Sequence, residues 1–153
     1  LAHDRLGYNY RLSDVASVIG LVQMQRIEEI LAKRSRVAGW YRARLGDERR
    51  LSMQRVSEHC EMSWFVFVVK LSDDYPEERR NRIIETLRGQ GIGSSNYFAP
   101  IHLQKFYREQ FGYREGSFPV CERVAARTIA LPFHNHLAES EVDEVCATLK
   151  SLL

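Results

Sequence analysis

Trp64-Phe65-Val66-Phe67-Val68-Val69-Lys70-Leu71 is the stretch that decides the fold. Aromatic and β-branched side chains fill it with little polar alternation, the pattern of a strand covered on both faces. Such a strand needs neighbours in a sheet and helices to cover it. Before it, Leu51 to Val56 is a second β-rich run, and the polar link Ser57-Glu58-His59-Cys60-Glu61 between the two makes them read as paired strands. After it, Pro76 holds a favourable first-turn position for a helix through Ile83, Ile84 and Leu87, which Gly89 and Gly91 end. Ile92 to Phe98 then returns as a third strand.

Helices frame this unit. Ser13 caps a helix predicted over 13–24, whose Val15, Val18, Ile19 and Val22 fall at the spacing of one buried stripe. A longer amphipathic helix follows through Ile27, Ile30, Leu31, Val37, Tyr41 and Leu45 to the Gly46-Asp47 breaker. Its arginines and Lys33 alternate with Glu28 and Glu29 and lack an aromatic platform, so they read as a solvated face, not a nucleic-acid surface. Downstream, short helices are expected near Lys105 to Phe111 and Phe118 to Thr128, with a last one from Glu139 to Leu152. Ala138 stands where a capping Ser or Thr would serve that helix, so Ser140 is expected to shift its start by two residues. Grouped strands with helices on one side give an α+β fold, a small, largely antiparallel sheet packed with helices. The division is a loop segment, 1–12, and one domain, 13–153.

With 153 residues, 44% hydrophobic and 27% charged, one core can form without disulfides or metal staples. A net charge of +2, from 22 basic and 20 acidic residues, points to neither nucleic acid nor a membrane surface. The longest apolar run, Trp64 to Val69, is far short of a membrane span. Cys60, Cys121 and Cys146 are widely spaced and without a CxxC, which fits free thiols in a reducing cytoplasm. The opening Leu1-Ala2-His3-Asp4-Arg5-Leu6-Gly7 has no initiator Met, apolar period or cap, and reads as the interior of a longer chain.

Local chemistry is sparse. His134 and His136 form an H-x-H after Pro132, but no further ligand lies at metal-site spacing, so no metal is expected. His59 abuts Cys60 in sequence, which is not the spatial pairing of a thiol nucleophile and its base. Gly89-x-Gly91-x-Gly93 follows a helix instead of opening one and reads as a helix end, not a phosphate loop.

Three segments change this picture: Gly7-Tyr8-Asn9-Tyr10-Arg11-Leu12-Ser13-Asp14, then Tyr97-Phe98-Ala99-Pro100-Ile101-His102-Leu103-Gln104, then Arg127-Thr128-Ile129-Ala130-Leu131-Pro132. In this order the chain resembles the DegT/DnrJ/StrS family of nucleotide-sugar aminotransferases. The resemblance implies the small C-terminal domain of a fold-type-I aminotransferase dependent on pyridoxal phosphate. The larger domain of such enzymes carries the Schiff-base lysine, which would lie upstream of this chain, so Lys33, Lys70, Lys105 and Lys150 are not expected to be catalytic. The implied reaction moves an amine, usually from glutamate, to a nucleotide-linked keto-sugar. Some family members dehydrate the sugar instead, and a non-catalytic interaction or regulatory module on the same domain is a further alternative.

The resemblance also implies roles for single residues. Asn9 matches the position whose amide reaches the cofactor phosphate of the opposite subunit, in a homodimer with shared active sites; its other reading is a turn residue between two tyrosines. Arg11, in the same loop, is a candidate for holding a phosphate or carboxylate, or for a structural salt bridge. His102 matches the family's substrate-proximal histidine, with Tyr97 on the strand end before it as a second substrate-binding candidate. The other reading of His102 is a buried structural histidine.

Overall fold

The computed structural model describes residues 7–8 and 10–153. Its elements run α1 (Asp14–Gln25), α2 (Ile27–Leu45), β1 (Leu51–Met53), β2 (Phe67–Leu71) and α3 (Glu77–Gly89). A 3-10 turn (Ile101–Leu103), α4 (Lys105–Phe111), α5 (Pro119–Ala125), β3 (Thr128–Leu131) and α6 (Glu139–Leu152) complete it.

The three strands form one antiparallel sheet in the order β1-β2-β3, with Leu51 opposite Leu71, and Phe67 opposite Leu131. Successive strand residues face opposite sides, so Phe67, Val69 and Leu71 all enter the core, where Ile83, Ile84 and Leu87 of α3 and Val142, Val145 and Leu149 of α6 meet them. Val37, Ala38, Tyr41 and Leu45 of α2 pack into the same core. Val68 is buried on the opposite face, which it shares with Lys70 and Thr128 and where Tyr97 and Val124 lie beside it. The central strand is thus covered on both sides, as its unbroken apolar run requires.

Several expectations are corrected. β1 stops at Met53, three residues before Val56, and β2 begins at Phe67, because Trp64 takes a φ of 44° and turns the chain out of the extended region. The third strand is Thr128–Leu131, not Ile92 to Phe98; only Ser95 of the latter segment pairs, in an isolated bridge with Ala130. Gly93, Ser94 and Asn96 within that segment are poor strand formers, and Gly91 just before it turns the chain at a φ of 81°. The helix expected to reach Thr128 ends at Ala125, so that the buried Thr-Ile-Ala-Leu run can pair with β2. The stripe of α1 is not buried: Val15, Val18, Ile19 and Val22 are exposed, Val15 to 73%. Finally, α6 starts at Glu139 after Ala138, and Ser140 does not shift it. The carboxylate of Glu141 accepts the Ala138 backbone N–H at 2.6 Å, the reciprocal half of a capping box, and this ties the helix start to Ala138.

Candidate functional site

The segment between the Ser95–Ala130 bridge and α4 carries two of the residues singled out from the sequence, Tyr97 and His102, and it is held at both ends. Thr128 donates its hydroxyl to the Tyr97 carbonyl at 2.9 Å, tying the segment to β3. After Pro100 the chain makes its 3-10 turn, and His102 points into the protein with 8% of its surface exposed.

Glu122 meets it there. Nε2 of His102 lies 2.8 Å from Oε1 of Glu122, and since an ionised carboxylate only accepts, Nε2 carries the ring proton. The same carboxylate accepts the backbone N–H groups of Gly116 at 2.8 Å and Phe118 at 3.0 Å. These backbone donors first, and His102 second, hold the Glu122 carboxyl below the usual carboxylate range. Phe118 and Tyr113 stand edge-on to the imidazole, with ring centroids 4.8 and 6.3 Å away. One carboxylate therefore joins the 3-10 turn, the 112–118 loop and α5.

A cleft of about 500 Å³ opens beside this junction, lined in part by Asn96, Phe98, Pro100, Glu122 and Arg123. Arg80 of α3 forms its inner wall and is 1% exposed. Its guanidinium donates to the carbonyls of Ala125 and Thr128 at 3.2 and 3.3 Å and to the Glu77 carboxylate at 2.7 Å. Burial pulls its pKa down from the ordinary arginine value, against the opposing effect of Glu77. Tyr97 belongs to a separate groove of about 350 Å³, shared with Met53, Gln54, Val68 and Lys70. The structure thus puts Tyr97 over the sheet and His102 behind Glu122, on one continuous segment but not in one cavity.

Arg11 is exposed just ahead of α1, and Asn9 lies outside the described residues. Glu122 and Arg80 did not stand out in the sequence. For Glu122 the available signal was an acidic side chain in the first turn of a helix opened by Pro119, which ordinarily marks nothing more than a helix start. Burial raises the pKa of the Cys146 thiol to about 11, so this buried cysteine is not an activated nucleophile. Among the described residues no three His, Cys, Asp or Glu side chains gather as a metal site, and no helix is long and apolar enough to cross a membrane.

A sequence profile of the DegT/DnrJ/EryC1/StrS aminotransferase family matches residues 1–150. The chain belongs to this family. Among its relatives, the GDP-perosamine synthase of Caulobacter vibrioides is 31% identical over 151 residues, 97% of this chain and 39% of that protein. The spore coat polysaccharide biosynthesis protein SpsC of Bacillus subtilis is 26% identical over 148 residues, 96% of this chain and 38% of that protein. Spr1654 of Streptococcus pneumoniae is similar in structure, with a TM-score of 0.87 and 26% identity over 93% of this chain and 35% of that one. It has been solved in apo, PMP and PLP forms. The chain therefore spans well under half the length of the family members it matches.

Proposed function

We propose that this chain is the small C-terminal domain of a cytoplasmic, pyridoxal-phosphate-dependent aminotransferase that moves an amino group from glutamate to a nucleotide-linked keto-sugar in polysaccharide or glycoconjugate biosynthesis. The observation that carries this reading is the family match along residues 1–150, joined to a fold match at a TM-score of 0.87. The perosamine synthase and the spore coat polysaccharide protein support the sugar side of it.

The described residues do not by themselves fit the cofactor. Lys33 and Lys105 are ion-paired along their own helices to Glu29 and Glu109, and Lys150 lies in the last turn of α6. Lys70 borders the Tyr97 groove, whose lining includes no carboxylate to face a pyridine nitrogen. In this proposal the cofactor-bearing lysine belongs to the part of the relatives that the chain does not match. Bound pyridoxal phosphate supplies the electron sink for amino transfer.

What remains for this chain is binding and orientation. Residues 1–12 are proposed to join domain 13–153 to the larger domain, with Asn9 and Arg11 on the cofactor phosphate across a homodimer interface. Tyr97 is proposed to contact the sugar nucleotide. His102, buried against Glu122, is proposed to shape the substrate loop on which Tyr97 and Pro100 sit. A direct test is cofactor content. The protein that carries this chain together with the larger domain should bind pyridoxal phosphate stoichiometrically, while residues 1–153 alone should give no saturable absorbance change. A stoichiometric, saturable cofactor complex of residues 1–153 alone would overturn the proposed division of labour.

A further inference from the structure

We infer that the pocket between α2 and the loop after β3 is a phosphate-binding site, and that the exposed ring of Phe65 beside it takes the flat group of a nucleoside diphosphate. The pocket has a volume of about 250 Å³ and is lined by Arg34, Phe65, Phe133, His134, Asn135 and His136. One arginine and two histidines without a single carboxylate is a lining made for an anion.

Two details set its donors in place. Asn135 accepts the Nε–H of Arg34 at 3.2 Å, which fixes the plane of a half-buried guanidinium. Among the described residues the other N–H groups of that fork make no hydrogen bond, and the fork matches phosphate oxygens in geometry. In His134, Nδ1 accepts the backbone N–H of His136 at 3.3 Å, so the ring proton sits on Nε2 and is available to donate.

The aromatic side of the site is equally specific. Trp64, at a φ of 44°, turns the chain so that its own indole is buried while Phe65 stands 69% exposed. The Phe65 ring lies 6.5 Å from that of Tyr97, which places it between the phosphate pocket and the Tyr97 groove. The pocket holds one or two phosphate groups but not a whole nucleotide, so the rest of the ligand must lie outside, over Phe65. Naming a nucleoside diphosphate, and not free phosphate, rests on the sugar-nucleotide reading above; the anion chemistry does not.

The test is a titration of the 15N-labelled chain with UDP, GDP, uridine and inorganic phosphate, followed by amide shifts and needing neither cofactor nor turnover. UDP or GDP should saturate shifts at Arg34, Phe65 and residues 134–136, and uridine should not. Arg34→Gln should weaken this binding at least about tenfold, as expected for loss of a charge-assisted hydrogen bond. Phe65→Ala should weaken the diphosphates and leave inorganic phosphate unchanged. If Arg34→Gln unfolds, His134→Ala serves the same purpose. Equal affinity for phosphate and for UDP and GDP, with no effect of Phe65→Ala, would overturn the nucleotide assignment. No saturable shift with any of the anions would overturn the site altogether. Either failure would leave the aminotransferase reading standing, because no step of that reaction is measured.

Discussion

Glu122 gathers three donors from two parts of the chain, and its loss should be felt through the loop that His102 anchors. Because the folded carboxyl titrates below its unfolded value, its contribution is present above the ordinary carboxylate range and is lost as pH falls through the folded value. Glu122→Gln should therefore be less stable than the parent at pH 7, and the gap should narrow as the pH is lowered below the ordinary carboxylate range, in urea unfolding across that range. A difference independent of pH would show that the ionised carboxylate is not what holds the loop. Arg80 offers a second test at this scale. Arg80→Leu removes the guanidinium from the Ala125 and Thr128 carbonyls, leaving Ala125 only the Thr128 hydroxyl at 3.4 Å, and should cost about 3 kcal/mol in the same experiment. Tyr97 and His102 were legible because they stand in a recognisable segment. Glu122 was not, since the partners that give it meaning come from Gly116 and Phe118 in the loop ahead of its helix and from His102 across a fold contact that no local pattern encodes.

Among the elements, α1 shows where periodicity misleads. Its apolar stripe has helical spacing and its Ser13 cap accepts the Ala16 N–H at 3.3 Å, so the helix forms, yet no residue of it is buried. Spacing reports that a helix has an apolar face; it does not report what covers that face. Ile19→Ser should accordingly change the stability of this chain by less than about 0.5 kcal/mol, whereas Leu149→Ala, fully buried in the core on α6, should cost about 2–5 kcal/mol. Thermal unfolding of both variants checks this, and a large loss from Ile19→Ser would mean that α1 is packed in solution. The paired strands β1 and β2 and the long helix α2 were legible for the opposite reason: their patterns are long or continuous. β3 was missed because a run of Thr and three apolar residues after a helix is as consistent with the helix going on as with a strand. What decides between the two is pairing with β2, a contact distant in sequence.

For the whole molecule, the exposed faces matter more than the core. The α1 stripe and the rings of Phe98, Phe106, Phe111 and Phe118, with Ile101 and Val120, stand exposed to water. In a chain that spans only 35–39% of the matched relatives, this supports the proposal that a larger domain and a second subunit cover those faces. The central claim, that the chain completes a sugar aminotransferase, is tested most directly by following nitrogen. The protein containing both domains is supplied with pyridoxal phosphate, 15N-glutamate and nucleotide-linked keto-sugars, and the products are read by mass spectrometry. The account predicts a 15N-labelled amino-sugar nucleotide formed in step with 2-oxoglutarate. A cofactor-loaded protein that yields a deoxygenated sugar, or no labelled sugar from any keto-sugar nucleotide offered, would contradict it.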